Sequence, residues 1–555
     1  MAQVSGSQIL LDELTAHQVE VVFGYPGGAV IPLYDEVYCQ KYNNILVRHE
    51  QGAAHAAEGY AKSTGKTGVV FTTSGPGATN ALTGIADAKA DSVPMVIFTG
   101  QVNRAAIGTN AFQEVDIVSM AKPITKAIFR VSTPSALAST IRQAFAIAQA
   151  GRKGPVLVDL PKDITTAMVH PAAQAAPATH HPTNSGQAGF TEVWQALKQA
   201  RRPLFLFGNG AATEQASQLA RQLILRTKIP AVATLLGLGI VPSDHPLFLG
   251  MGGMHGSYAA NMALSNCDFL INIGARFDDR LATDPTSFAP HAKIAHFDID
   301  PRELGKLVST DYPVVADARD ALKWLVAASQ RENVLPHSEW NAQVKAWQTL
   351  HPFTYHYEEN TIKPQAVIEN VSKLTAGQAV VVTDVGQHQM WAAQFYSYQH
   401  PKQLVTSGGL GTMGFGLPAA IGAKVGQPEK AVALFTGDGG FQMTLEELDV
   451  IRERQLNIKI VLFNNHALGM VKQWQDLFFN RHRSQTVFKT QPDFQQILRG
   501  YGIDSYRLRS DNWQEELAEA FASPHAAFIE VPIPADENVY PMVPAGKANS
   551  EMILE

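Results

Sequence analysis

Short β-branched runs alternate with longer helix-forming stretches along the whole chain, and that alternation points to parallel α/β sheets. The runs fall into three blocks. The first holds Glu20–Phe23, Ile45–Arg48, Gly68–Thr72, Pro94–Phe98 and Pro155–Asp159. The second holds Pro203–Phe207, Ala231–Thr234, Asp268–Asn272 and Lys293–Asp298. The third holds Ala379–Thr383, Lys430–Phe435, Lys459–Phe463 and Ala527–Val531. A chain of 555 residues is too long for a single core, and roughly 150 residues per domain gives three or four domains. We therefore expect three doubly wound parallel-sheet domains, at 1–170, 190–335 and 361–535. A polar, Ala/Pro-rich linker at 171–189, a connector at 336–360 and a tail at 536–555 fill the gaps.

Composition narrows the function classes. Charged residues make up 17%, below the usual ~25%, so much apolar surface is expected to be buried, some of it between subunits. A net charge of −6 over the whole length gives no basic face for nucleic acid. Two cysteines, Cys39 and Cys267, cannot build a disulfide framework, which predicts a reducing compartment. The start, Met1 to Gly6, has no basic segment and soon meets Asp12 and Glu13, unlike a secretory signal. The longest nearly apolar run, Ile229 to Pro242, is too short to span a bilayer. A soluble cytoplasmic protein without a membrane partner is expected.

Blocks one and three echo each other. Thr73-Ser-Gly-Pro-Gly-Ala-Thr-Asn80 and Thr406-Ser-Gly-Gly-Leu-Gly-Thr-Met-Gly414 both read as a strand end, a glycine turn and a helix start, where free N–H groups can face an anion. More specific is Gly437-Asp438-Gly439 after one strand, with Asn464-Asn465 after the next. Both land on the carboxyl edge of one parallel sheet, where α/β ligands bind. A carboxylate and an amide oxygen there suit Mg²⁺ shared with phosphate.

The Gly437–Gly439 and Asn464–Asn465 pair resembles the diphosphate-binding signature of thiamin-diphosphate enzymes. Arg48-His-Glu-Gln-Gly-Ala53, Gly100-Gln-Val102, Ala111-Phe-Gln-Glu114, Gly274-Ala-Arg-Phe-Asp-Asp-Arg280, Asp384-Val-Gly-Gln-His-Gln-Met-Trp391 and Ser407 to Ala420 narrow this further. They are similar to the large subunits of acetohydroxyacid synthases, the biosynthetic acetolactate synthases. The resemblance runs the whole length. It implies decarboxylation of pyruvate on thiamin diphosphate and condensation of the two-carbon unit with pyruvate or 2-oxobutyrate, for branched-chain amino-acid synthesis.

By the same resemblance, Glu50 is the carboxylate that hydrogen-bonds N1′ of the aminopyrimidine. Gly28 and Gln113 line the reaction centre, and Phe112 and Lys162 stand at its entrance. Met413 supports the bent cofactor. Gly386, Gln387, His388, Gly439 and Gly440 hold the diphosphate, while Asp438, Asn465 and the carbonyl of Ala467 ligate Mg²⁺. Gly440 departs from the serine common in the family. Arg280 holds the carboxylate of the second 2-oxoacid, Trp474 selects it, and Met254 lines the same pocket. The middle block is implied to bind FAD through Gly208, Gly210, Thr234, Leu235, Arg276, Asp298 and Asp317, with Arg152 from the first block. Its Gly208-Asn209-Gly210 turn departs from an all-glycine form. The resemblance further implies a homo-oligomer with active sites at the dimer interface and a small regulatory subunit.

Without the family, Arg280 reads as an intraloop partner of Asp278 or Asp279, and Trp474 as a core aromatic. A pyruvate-oxidase-type enzyme shares fold, thiamin, Mg²⁺ and FAD but passes electrons to the flavin; a nucleotide-binding protein needs no Glu50. Tyr540 to Lys547, with two prolines and a glycine and no periodicity, is expected to act as a lid.

Overall fold

The computed structural model describes residues 3–170 and 188–555. Three six-stranded, wholly parallel sheets follow one another along the chain, each flanked by helices. The linker expected at 171–189 lies, except for its last two residues, outside the described residues.

In the first sheet the spatial order is Asn44–Leu46, Val22–Gly24, Gly68–Thr72, Met95–Gln101, Pro155–Pro161 and Ala127–Arg130. The third sheet repeats that connectivity: Leu404–Val405, Val380–Thr383, Val432–Gly437, Ile458–Asn464, Ala527–Pro532 and Asp504–Arg507. The echo between the two glycine turns is thus an echo of whole domains. The second sheet instead runs Phe248–Met251, Ala231–Ala233, Pro203–Phe207, Phe269–Ile273, Lys293–Asp298 and Tyr312–Val315. That is the strand order of dinucleotide-binding folds, whose ligands sit where the order reverses.

Central strands such as Gly68–Thr72 and Ile458–Asn464 are buried at every residue, as strands covered on both faces must be. Their mainly apolar runs, broken in the second only by Lys459 near its start and Asn464 at its end, are what make them legible. In these three sheets the strands without a sequence signal are Ala127–Arg130, Phe248–Met251, Tyr312–Val315, Leu404–Val405 and Asp504–Arg507, each at the edge of its sheet; a small antiparallel pair, Val4–Ser5 with Met168–Val169, carries none either. Edge strands are paired on one side only and tolerate polar residues, so Asp504-Ser-Tyr-Arg507 carries no hydrophobic signal.

Two features bind the domains into one body. The Glu50–Thr64 helix of the first domain crosses the Gly416–Gly426 helix of the third at backbone contact: a Cβ on Gly59 would lie 2.1 Å from the Ala419 carbonyl oxygen, and one on Gly422 would lie 1.8 Å from that of Ala56. The connector contains a helix, Ser338–Leu350, whose Trp340 indole donates to the Pro203 carbonyl at 2.9 Å and packs into the middle-domain core.

The C-terminal stretch is held by backbone bonds rather than hanging free. Val543 N–H donates to the Met254 carbonyl, Gly546 N–H to that of Thr283, and Met542 and Val543 are fully buried. It forms a strap across the junction of the second and third domains.

Candidate active site

In the third domain the sheet order reverses between Val380–Thr383 and Val432–Gly437, and the residues just beyond these strands face one crevice. Asp438 opens the Asp438–Phe441 turn and is 1% exposed. Its Oδ2 accepts from Gln491 Nε2 at 2.5 Å, yet burial pushes its carboxyl up to about 7. So buried an anion calls for a cation. Asn465 ends the neighbouring strand's turn, its Oδ1 accepting from Ala467 N–H at 3.0 Å and its Nδ2 donating to Gln387 Oε1 at 3.3 Å. The expected ligand trio and the expected diphosphate turn are therefore contiguous.

That turn is built for close approach. Gly386 caps the Gln387–Phe395 helix at φ 154°, and a Cβ there would lie 2.9 Å from the His388 ring. His388 is held neutral, its pKa lowered by burial to about 3, and its Nε2 has no hydrogen-bond partner. A Cβ on Gly439 would meet Leu468 at 2.7 Å and the Met413 methyl at 3.4 Å. At Gly440 a Cβ would lie 2.7 Å from Asp384 Oδ1, so the loss of serine there goes with a tight seat against Asp384. Asp384 opens the Asp384–Trp391 stretch, and nothing in the sequence marks its own role. Fully buried, it accepts from the N–H groups of Val385, Gly414 and Gly416, fixing the Met413 loop to the diphosphate turn.

The first domain supplies a second anchor to that loop. Asp91 accepts from Gly408 and Gly409 N–H at 2.9 and 2.7 Å, Asp87 from Ser407 Oγ at 2.9 Å, and Lys62 donates to Asp91 and to the Thr406 carbonyl. No sequence signal marked Asp87 or Asp91.

Glu50 begins its helix directly after the Asn44–Leu46 strand and is 8% exposed. A carboxylate in a first turn is favoured by the helix dipole, and its Oε2 accepts from Asn80 Nδ2 at 3.0 Å. The turn before it is seated on the third domain, where Glu447 Oε1 accepts from Arg48 and His49 N–H, both at 3.0 Å. A Cβ on Gly77 would lie 3.1 Å from Glu50 Oε1, and one on Gly75 2.9 Å from the Gln113 carbonyl, so Gln113 joins this group. Gly28 follows Val22–Gly24 and Lys162 follows Pro155–Pro161, at the carboxyl edge of the same sheet. Phe112 beside them is 88% exposed.

A cavity of about 720 Å³ opens where all three domains meet, a size suited to a bound organic ligand. Gly386 and Met413 line one end together with Met254, Arg280 and Trp474. The Arg280 guanidinium sits 5.6 Å from the Trp474 ring centre, and its Nη1 is 3.6 Å from Met254 Sδ. It also pairs with Asp279 at 3.5 Å, so the bland intraloop partner is present, but exposed and of small energetic weight. The other end is lined by Arg152, Gly210, Thr234, Leu235, Arg276, Asp298 and Asp317. Gly208 stands behind that wall, where a Cβ would lie 2.3 Å from Ala275 Cα. Asp298 closes its strand, and burial pushes its carboxyl up to about 6.

Glu50, Gln113, Phe112, Lys162 and Gly28 do not line this cavity. Nor do Asp438, Asn465, Ala467, Gln387, His388, Gly439 and Gly440, so of the residues expected at the metal and diphosphate only Gly386 reaches the cavity wall.

Three family descriptions match in order: "Thiamine pyrophosphate enzyme, N-terminal TPP binding domain" over residues 4–120, the central domain over 190–325, and the C-terminal TPP binding domain over 384–531. The chain is 46% identical to the acetolactate synthase large subunit of Lactococcus lactis, over 99% of this chain and 96% of the relative. It is 44% identical to the isozyme 2 large subunit of Escherichia coli, over 99% of both, and 40% identical to the isozyme 3 large subunit, over 100% and 99%.

Proposed function

The chain belongs to the acetolactate synthase large-subunit family of thiamine pyrophosphate enzymes, and from that premise we propose how its residues carry the reaction. Its activity is acetolactate synthesis: one pyruvate loses CO₂, and the remaining two carbons join a second 2-oxoacid. The donor set supports Mg²⁺ and thiamin diphosphate at Asp438, Asn465, the Ala467 carbonyl, Gly386, Gln387, His388, Gly439 and Gly440. A carboxylate whose burial disfavours its charge, an unpartnered imidazole nitrogen and glycines that exclude a Cβ all fit a metal-bound diphosphate. Thiamin diphosphate, when bound, supplies a carbon nucleophile and an electron sink for decarboxylation. Glu50 holds a proton at N1′ of its aminopyrimidine, and Met413 supports it from below.

The observation that carries the acceptor assignment is the convergence of Arg280, Trp474 and Met254 beside Met413 at one cavity end. A guanidinium fork suits the carboxylate of the second 2-oxoacid, and an indole beside a methionine suits its alkyl group. Product analysis with pyruvate alone, then with added 2-oxobutyrate, tests the reading; acetyl phosphate or reduced electron acceptor in place of acetolactate would refute it.

Trp474→Leu should leave acetolactate formation largely intact while collapsing preference for 2-oxobutyrate, since a fitted apolar pocket discriminates one methylene by ~10–200-fold. The ratio of the two products at fixed mixed substrates measures it. An unmoved ratio would return Trp474 to a packing role.

The other cavity end supports FAD. The middle sheet has the dinucleotide strand order, glycines 208, 210 and 274 are packed at its reversal point, and Asp298 is placed as a ribose acceptor. Arg152, Thr234, Leu235, Arg276 and Asp317 complete the contacts. Because the ionised Asp298 is the better acceptor, flavin affinity should fall as pH drops through about 6. Fluorescence titration at pH 5 and 8 checks this, and in Asp298→Ala the two affinities should coincide.

The exposure of Phe112, next to Gln113 in the Glu50 group, supports a dimer in which Glu50, Gly28, Gln113, Phe112 and Lys162 of one copy face Asp438 and Trp474 of another. Exposed Phe112, Met443, Phe478 and Phe479 are apolar surface such a contact would cover. The relatives' name of large subunit supports a smaller regulatory partner. Among the described residues no helix is long and apolar enough to cross a membrane. Two unpaired cysteines support a cytoplasmic setting.

A further inference from the structure

Between the proposed metal site and the C-terminal strap runs an unbroken line of buried side-chain amides. Asn465 Nδ2 donates to Gln387 Oε1 at 3.3 Å, and Gln387 Nε2 donates to Gln473 Oε1 at 3.0 Å. Gln473 then grips the strap twice: Val539 N–H donates to its Oε1 at 3.0 Å, and its Nε2 donates to the Val539 carbonyl at 3.0 Å. A second branch leaves Gln387 directly, its Nε2 donating to the Glu537 carbonyl at 2.9 Å. Asn465, Gln387 and Gln473 are 7%, 4% and 1% exposed.

The pattern has one sense only. Exchanging the oxygen and nitrogen of Gln473 would set donor against donor at Val539 N–H and at Gln387 Nε2, each a desolvated clash. The first residue of the Gly469–Phe478 helix makes room for the line: a Cβ on Gly469 would lie 2.0 Å from Gln387 Oε1 and 2.6 Å from Asn465 Nδ2. Trp474 is the next residue after Gln473 on that helix, and the strap goes on to donate from Val543 N–H to the carbonyl of Met254. Both walls of the acceptor pocket are therefore tied to the same amide.

We propose that Gln473 is a positioning residue that couples Gln387 and Asn465 to the strap backbone at Val539, and thereby sets the placement of Trp474 and Met254 around the acceptor. The proposal rests on the reading that Gln387 and Asn465 hold the cofactor. With both Gln387 Nε2 hydrogens already committed, a cation held by Asn465 and an anion at the N-terminus of the Gln387–Phe395 helix would fix these two residues, and through them Gln473 and Val539. Fully satisfied buried networks of this kind rigidify what they touch.

The experiment is hydrogen exchange of the Val539 amide in the full-length protein, with and without Mg²⁺ and thiamin diphosphate. Gly546 is the internal control, because its N–H is held by Thr283 of the middle domain and not by this line. Loading should slow Val539 by at least about 10-fold, the scale of a buried hydrogen bond secured against local opening, and leave Gly546 little changed. Gln473→Leu should abolish the difference and shift the ratio of 2-oxobutyrate-derived to pyruvate-derived product. Gln473→Glu keeps an acceptor for Val539 N–H and should restore part of both. Equal Val539 exchange in loaded and unloaded wild-type protein would overturn the proposal, as would a Gln473→Leu variant of wild-type product ratio. Failure of the cofactor reading shows separately, as unchanged cofactor affinity in Asp438→Ala.

Discussion

Glu50→Gln is expected to lower turnover by about 10²- to 10⁴-fold, the range that one positioned proton-transfer group contributes, while cofactor affinity and folding stay near normal. The amide keeps the size of the carboxylate and can still meet Asn80, which now donates to Glu50 Oε2 at 3.0 Å. It cannot supply and hold the proton at N1′ of the aminopyrimidine. The loss should thus appear in the rate at which the bound cofactor exchanges its C2 proton, followed by NMR, and not in its dissociation constant. Wild-type exchange in the variant would remove Glu50 from this role and leave it a first-turn carboxylate on a helix dipole.

Asp438→Ala should fail by a different route. Burial raises this carboxyl to about 7 despite its bond from Gln491, so its ionised form is poorly solvated and favours a cation beside it. Removing it deletes a direct ligand, and cofactor affinity should fall by at least about 100-fold, since even outer partners of a metal are worth about 10- to 100-fold. Excess Mg²⁺ and thiamin diphosphate together should restore part of the activity, and a chelator should mimic the variant in the wild type. The sign of the pH effect follows from the direction of the shift: protons compete with Mg²⁺ as pH falls through about 7, so cofactor affinity should weaken on acidification. Titration of both proteins at pH 6 and 8 reads all of this. Equal affinities of wild type and variant would mean that Asp438 is no ligand.

Much of the architecture was legible in the sequence for one physical reason: a parallel strand covered on both faces needs a mainly apolar run, as Gly68–Thr72 and the Ile460–Phe463 stretch show. The same reason hid the edge strands. At the site, Asp438 with Asn465 was legible from its place at two neighbouring strand ends, whereas Arg276 and Arg280 were legible only through the resemblance to the family. Asp91, Asp384, Gln473 and Gln491 act through partners far along the chain, for example Asp91 on Gly408 and Gly409. No local pattern announces such a residue. A buried carboxylate in an ordinary helix ending looks like any other until the fold brings the loop to it.

The crossing of the Glu50–Thr64 and Gly416–Gly426 helices sets a mechanical tolerance. With Gly59 against Ala419 and Gly422 against Ala56, there is no soft layer of side chains between the helices to absorb error. One added methyl must move a whole domain. Glu50 rides on one helix and Met413 lies just ahead of the other, so the smallest substitution at the crossing is transmitted undiminished to two parts of the reaction machinery. Sequence drift at this spot is confined to hydrogen as the side chain, however freely the outer helices vary.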